Sequence, residues 1–275
     1  MSRIAVIIPS WNRKHVIERS VTSVLNQSFD DYELVVVDDC SVDGTEELAL
    51  FSDSRIRYER LDMHKGVSYA RNYGVRCTSA PLLAFLDSDD EWHENKLEHH
   101  LDWIRRNPSF RISQTQEIWI RRGKRVNPPK NHKKQAGDIF EMSLKRCMIT
   151  PSSVIMDRDL YHEFGGFNES FLACEDYDLW LKVTSKYPVG LIDEYLLTRY
   201  GGHRDQLSST AFALDRFRIR SILHILYTGE LRENQQVLAK RELVRKACIV
   251  AGGYKKRGDL KRYEQFRSIA DVNGV

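Results

Sequence analysis

Residues 87–91 read Asp-Ser-Asp-Asp-Glu directly after the apolar run LLAFL, so four carboxylates crowd the end of a segment with a buried pattern. A solvated loop would tolerate that repulsion, and a divalent cation would relieve it. Mg²⁺ and Mn²⁺ are hard ions that combine carboxylate oxygens with diphosphate oxygens. Asp87 and Asp89, two apart, fall on one side of an extended segment, so one can hold a metal while the other orients a ribose or adds a second ligand. Asp90 and Glu91 read as solvated acids or first-turn helix acids favoured by the dipole. Two further polar groups follow apolar runs in the same way: Pro9-Ser10-Trp11-Asn12 after IAVII, and Asp38-Asp39-Cys40-Ser41 after LVVV. Taken alone, the Asp38–Asp39 pair fits a strand end and helix cap equally well. Glu175 and Asp176 head the periodic stretch EDYDLWLKVTSKY, where the plain reading is again N-terminal helix acids.

The elements that must position these groups alternate between two periods. Short apolar runs at 3–9, 33–39, 56–61 and 82–87 read as strands, and 16–28, 45–51 and 66–77 read as helices. That order predicts βαβ units and a parallel sheet covered on both faces. Ligands of such sheets bind beyond the carboxyl ends of the strands, which would bring three of the polar groups to one edge. Neither GxGxxG after the first strand nor GxxxxGK[ST] is present, which argues against a dinucleotide fingerprint and a P-loop. A nucleotide whose phosphates are neutralised by a cation remains compatible. After residue 95 come a polar helix carrying His99 and His100 as surface residues, a strand over 112–120, and a stretch (121–137) with eight Lys, Arg or His and no acid. A strand at 152–157, a helix at 174–187 with Trp180 in the core, one or two strands over 189–200, and helices beyond 206 complete the chain. Gly165 and Gly166 mark a turn.

Bulk properties are those of an ordinary globular chain of 275 residues, 41% hydrophobic and 29% charged. A net charge of +3 gives no dominant field for nucleic acid or membrane. Five cysteines without a CxxC spacing and without a leader in front read as reduced thiols in the cytoplasm. No apolar run approaches the ~20 residues of a spanning helix.

The ordered set IIPSWNR, VVVDDCSVDGT, GVSYARNYG, FLDSDD, GGFNE and CEDYDLWLK resembles the inverting glycosyltransferases of family 2 over roughly residues 3–205. The resemblance implies a GT-A fold, an α/β architecture with a Rossmann-like mixed sheet flanked by helices, over 1–205, with 206–275 as a helical C-terminal extension. It implies that Pro9, Ser10, Trp11 and Asn12 line the donor pocket with the Trp11 ring against the base, and that Asp39 bonds uracil or ribose. Arg71 resembles a donor-contacting residue. Asp87, Ser88 and Asp89 look like the DxD motif, with Asp89 the preferred ligand of Mn²⁺ or Mg²⁺. Asp176 resembles the general base, and Glu175 shapes the acceptor side. Two positions depart from the pattern: His64 stands where the family often has Asn, and His203 is a looser match to a histidine that reaches the metal or diphosphate.

The implied activity moves a sugar from a nucleotide-sugar, UDP by default, to a hydroxyl of a glycan or lipid-linked acceptor in cell-surface polysaccharide or glycolipid assembly. The basic segment 121–134 and the C-terminal helices are then candidates for peripheral contact with the inner face of the membrane, set against a solvated loop and a helical cap or dimer contact. Two other readings compete. A sugar-phosphate nucleotidyltransferase would want a Gly-rich basic loop after the first strand, which is absent. A silent nucleotide-sugar or glycan binder would have no need of Asp176.

Overall fold

The computed structural model describes residues 2–129, 132–202, 214–228 and 230–274. Strands β1 (Ile4–Ser10), β2 (Tyr32–Asp38), β3 (Ile56–Arg60) and β4 (Leu82–Phe85) lie parallel in the order β3-β2-β1-β4. Helices α1 (Ile17–Leu25) and α2 (Val67–Arg76) make two of the crossovers. The third, expected to be helical over 45–51, is instead two 3-10 turns, Thr45–Glu47 and Ala49–Ser52. Leu48 between them is extended (φ −65°, ψ 126°), and that breaks the helical run.

Beyond β4 the sheet stops being parallel. The elements are β5 (Glu91–Trp92), α3 (Lys96–Arg106), β6 (Ile112–Arg121), β7 (Lys124–Val126), α4 (Phe140–Lys145), β8 (Val154–Asp157), α5 (Arg158–Glu163), α6 (Glu175–Lys186) and β9 (Gly190–Gly201). Strand β8 runs antiparallel to β4 and to β6, β9 runs parallel to β6, and β5 closes the row antiparallel to β9. The segment 189–200 thus forms a single strand, whose register against β6 shifts around Thr115–Glu117.

Alternation along β1 sends Ile4, Val6 and Ile8 to one layer and Ala5 and Ile7 to the other. The first set packs on Ile17, Val21 and Val24 of α1 and on Leu97 and Leu101 of α3; the second packs with Phe85, Val75, Trp180 and Val183. Solid apolar runs follow from a sheet buried on both faces. Gly74 lets α2 approach β1 closely, because a Cβ there would lie 2.5 Å from Ile7 Cγ2.

Helices α7 (Asp215–Tyr227), α8 (Glu233–Lys256) and α9 (Leu260–Asn273) share one apolar cluster with Phe140 and Leu144 of α4 and Tyr177 and Leu181 of α6. Lys246 is buried there, its Nζ 3.1 Å from Asp215 Oδ1 and 3.1 Å from the Lys145 carbonyl. The C-terminal helices therefore brace the helix that begins with Glu175–Asp176. Among the described residues no helix is long and apolar enough to cross a membrane.

Candidate active site

The first two strand ends are fastened to each other. The Asp39 amide donates to the Ser10 carbonyl (2.8 Å), the Asn12 amide to Ser41 Oγ (2.8 Å), and the Val42 amide to Asn12 Oδ1 (2.9 Å). Asp38 is wholly internal: Ser41 N–H donates to Oδ1 at 2.9 Å and the Tyr58 hydroxyl to Oδ2 at 2.6 Å. Burial, followed by that bond to Asp38, drives the Tyr58 phenol up. Asp39, 2% exposed, receives the amides of Lys65 (2.7 Å) and Gly66 (2.7 Å), one on each oxygen, and His64 Nδ1 lies 2.8 Å from Oδ2. Gly66 holds φ +91°, open to glycine at little cost. Asp39 thereby fixes the turn entering α2 and the His64 ring, which stacks on the half-exposed Trp11 at 4.1 Å and 25°. Ser10 Oγ is buried without a partner among the described residues. Pro9 is buried in β1.

From that turn α2 delivers two clasps. Arg71, 3% exposed, donates to Asp87 Oδ1 (2.7 Å) and to Glu175 Oε1 (2.8 Å), and its guanidinium lies 4.8 Å over the Phe167 ring. Burial opposes its charge, and the two carboxylates more than restore it, so the guanidinium is held above its usual range. The next residue, Asn72, donates to the Phe167 carbonyl (2.8 Å) and Glu169 Oε1 (2.8 Å) and accepts the Phe167 amide (3.1 Å). Gly165 and Gly166 turn there with φ +74° and +71°, beside a cavity of about 340 Å³ lined by Asn72, Asn168, Glu169 and Lys182.

The acidic run after β4 is a turn, closed by the Asp90 amide on the Asp87 carbonyl (3.0 Å), so Asp87 and Asp89 do not share the side of an extended strand. The turn separates the charges. Asp87 is paired with Arg71, and Glu91 accepts the Tyr200 hydroxyl at 2.6 Å. Asp90 is not solvated: it is 3% exposed, with Ser152 Oγ donating at 2.6 Å and the Tyr200 amide at 3.2 Å. Burial, with Asp89 next, pushes its carboxyl well up. Ser88 is buried, and the Asp89 carbonyl accepts from Arg19. Ser152 also accepts the Asp87 amide at 3.1 Å. Ser152 supports the turn from below; nothing in the string TPSSV announced it.

At the head of α6, Cys174 adopts φ 62° and Glu175 and Asp176 open the first turn. Burial raises the Glu175 carboxyl, Asp176 adds to it, and Arg71 opposes. Asp176 Oδ1 accepts the Tyr177 amide at 2.7 Å, and Cys147 Sγ lies 3.3 Å from Oδ2. Burial and then the Asp176 charge hold the Cys147 thiol well above its usual range, so it donates as S–H. Arg71 thus joins the β4 turn to the helix that carries Asp176.

Two other expectations change. His100 is buried, within 2.8 Å of Ser113 Oγ and 3.3 Å of Lys96 Nζ, whereas His99 is exposed beside Glu194. The basic segment does not stay in solvent throughout: Lys134 is buried, donating to Ser153 Oγ (2.6 Å) and paired with Glu117 (2.9 Å). Burial alone would raise Glu117, but Lys134 and Arg199 outweigh it and hold the carboxyl at about 2. His203 lies outside the described residues.

Among the described residues no three His, Cys, Asp or Glu side chains group as a ready-made cation site. The Asp87–Asp89 pair nevertheless fits an ion of the Mg²⁺ type, which is held by one or two carboxylates and completed by phosphate and water oxygens. Asp87 suits this role, since Arg71 engages Oδ1 and the side chain stays 30% exposed. A cavity of about 810 Å³ is an open polar groove between α1 and β5 lined by Arg19, Asn26, Glu91 and Glu94. It does not include Asp176, and the pairing chemistry identifies the site better than volume does.

A parallel sheet edge that brings a carboxylate turn to an acid-headed helix fits a transferase of the α/β class, and residues 5–165 match the model of glycosyl transferase family 2. The chain belongs to that family. It is 35% identical over 214 residues to the Escherichia coli UDP-Glc:alpha-D-GlcNAc-diphosphoundecaprenol beta-1,3-glucosyltransferase WfgD, covering 76% of this chain and 81% of that one. The E. coli enzyme WfaP, of the same printed activity, is 30% identical over 222 residues (77% and 82%). Among solved structures, S. aureus TarS with UDP-GlcNAc superposes with a TM-score of 0.68 at 16% identity, covering 97% of this chain and 90% of that one. The mannosyltransferase PcManGT of Pyrobaculum calidifontis, with GDP-Man and Mn²⁺, gives 0.61 at 15% (98% and 84%). Those likenesses establish the GT-A fold, and the family establishes a transferase.

Proposed function

We propose that this chain transfers a sugar with inversion from a UDP-sugar to a hydroxyl of a lipid-diphosphate-linked acceptor. The observation that carries the reading is the continuous chain Asp87–Arg71–Glu175, which ties the donor-side turn to the helix presenting Asp176. The printed activities of WfgD and WfaP support both the donor and the acceptor class.

In this reading Trp11, backed by His64, is the platform for the base, with Pro9, Ser10 and Asn12 shaping its floor and rim. Asp39 serves the donor by fixing that turn. Asp87 and Asp89, with Ser88 between them, would hold Mn²⁺ or Mg²⁺. When bound, the ion supplies positive charge against the diphosphate. Asp176 takes the proton of the attacking hydroxyl at Oδ2. The acceptor oxygen bonds to the anomeric carbon as that carbon's bond to the diphosphate breaks, the electron pair leaving with the diphosphate. Glu175, held by Arg71, walls the acceptor side. On α8 an exposed row of Lys240, Arg241, Lys255 and Lys256 with Val237 (54% exposed) and Ile249 (52%) suits peripheral contact with an anionic lipid surface.

Calorimetric titration of UDP, dTDP and GDP, each with Mn²⁺ and again with EDTA, tests the donor assignment. Expected is binding of UDP with metal, lost in EDTA and in Asp89→Asn. A folded protein that binds none of the three overturns it.

A further inference from the structure

Helix α1 meets the carboxylate turn with a polar row. Arg19 and Ser23 of α1 and Gln27 just past its end are spaced by four, which places them on one side of a helix. Ser23 Oγ accepts the Trp92 amide (3.1 Å), and Gln27 Nε2 donates to the His93 carbonyl (2.8 Å). Those two bonds fasten the backbone of β5 and its exit to α1. Arg19 heads the row. It donates to the Asp89 carbonyl, and its guanidinium carbon lies 3.6 Å from the centre of the Tyr200 ring. Tyr200, near the end of β9, reaches the same turn twice: its amide donates to Asp90 Oδ1 (3.2 Å) and its hydroxyl to Glu91 Oε2 (2.6 Å). Arg19 Nε is buried without an acceptor among the described residues, so the stack is partly desolvated. A planar guanidinium can donate in its plane and stack on its face at once, which an ammonium cannot do.

We propose that Arg19, stacked on Tyr200, is a positioning residue for the cation: it fixes the Asp89 peptide and with it the direction of the Asp89 carboxylate. This rests on the assignment of Asp89 to Mn²⁺ or Mg²⁺ made above. Ions of the Mg²⁺ type demand near-ideal ligand geometry, and partners behind a ligand set its orientation. A guanidinium here has two opposed effects on an arriving cation. Its charge repels the ion, and its bond aims the ligand. A partly exposed charge is worth about fivefold at most, whereas lost orientation costs about 10–100-fold in metal affinity. Orientation therefore wins, and the sign of the change on removing Arg19 tells the two apart.

The test titrates UDP by calorimetry into the intact protein at a series of Mn²⁺ concentrations and reads the Mn²⁺ needed for half-maximal UDP binding. Arg19→Met should raise that concentration about tenfold. Arg19→Lys, which can still donate to the carbonyl, should recover part of the loss. Tyr200→Ala should shift it in the same direction as Arg19→Met, and it carries the test if Arg19→Met fails to fold. Uridine, which lacks the diphosphate, should bind Arg19→Met as it binds wild type; equal losses for uridine and UDP would mean general damage and overturn the positioning role. An unchanged Mn²⁺ requirement in Arg19→Met overturns it too. A lowered requirement would show that Arg19 acts only as a charge, which is equally fatal. Asp89→Asn, measured alongside, separates the two claims. If it leaves the requirement unchanged, the cation assignment fails and the positioning role falls with it. If only Asp89→Asn raises the requirement, Asp89 keeps its place and the role of Arg19 alone is lost.

Discussion

The chain carries two adjacent-acid pairs, Asp38–Asp39 after β2 and Glu175–Asp176 at the head of α6, and it builds them in opposite ways. In the first pair each oxygen meets an N–H or O–H donor from the protein, and both acids act as fasteners. In the second, Glu175 relies on one guanidinium in a buried setting, and Asp176 Oδ2 has a thiol, a weak donor, as its described neighbour. The oxygens of the first pair are committed to donors within the fold. Asp176 accepts the Tyr177 amide at Oδ1 and keeps at Oδ2 only a weak donor from the protein, which leaves that oxygen open to a further partner. Neighbouring carboxylates in sequence therefore say little about role; their donors decide it.

The sharpest way to break this contrast is the same substitution in both pairs. Asp176→Asn should cut kcat by about 10²–10⁴-fold while calorimetric UDP binding stays near wild type. Retained turnover would remove Asp176 as the base. Asp39→Asn should act the other way. An amide NH₂ would face a backbone N–H in the 64–66 turn, so urea unfolding should lose about 1–3 kcal/mol, and UDP binding should weaken with it. If Asp39→Asn were as stable as wild type, Asp39 would not be a fastener.

A third test asks how burial alone treats a charge. Lys134 and Lys96 meet at Ser153, yet only Lys134 has a carboxylate, Glu117. Burial first, then Lys134, pulls the Lys96 amine well below its ordinary 10.5. The unfolded chain takes up that proton as pH falls below 10.5 and the folded chain does not, so stability declines toward neutrality. Lys96→Met should therefore be more stable than wild type at pH 7, by something on the order of 1–3 kcal/mol. The gain should shrink as pH approaches the unfolded value. A variant less stable at both pH values would mean that the amine contributes more through its contacts with His100 and Ser153.

Much of the donor half was legible because its physics is local. β1, β2 and β4 are solid apolar runs, and their ends carry the polar residues that meet at one edge. The order of motifs was enough for the family. What stayed hidden depends on partners far along the chain: Arg71 and Glu175 are 104 residues apart, Ser152 and Asp90 62 apart, and Cys147 and Asp176 29 apart. The burial of Asp90, His100 and Lys134 was unreadable for the same reason. A charged side chain is assigned to solvent until the groups that compensate it are known, and here those groups sit on β6, β9 and the turn before β8.

The smallest expected effect is the most diagnostic for the second pair. Cys147 Sγ lies 3.3 Å from Oδ2 of the carboxylate proposed as the base and 3.2 Å from the Ile149 carbonyl, and a hydroxyl in its place would donate more strongly. A donor to the charged form favours that form, so Cys147→Ser should move the acidic limb of the kcat–pH profile downward and slow turnover a few-fold, within about one pH unit. Cys147→Ala removes the donor and should move the same limb upward. Cys147 also packs against the apolar clusters around α4 and α6, so both variants will lose some stability. A purely structural role shifts the two profiles in the same direction or in neither. Displacements of opposite sign, with UDP affinity unchanged in both, would mean that this thiol sets the strength of the base.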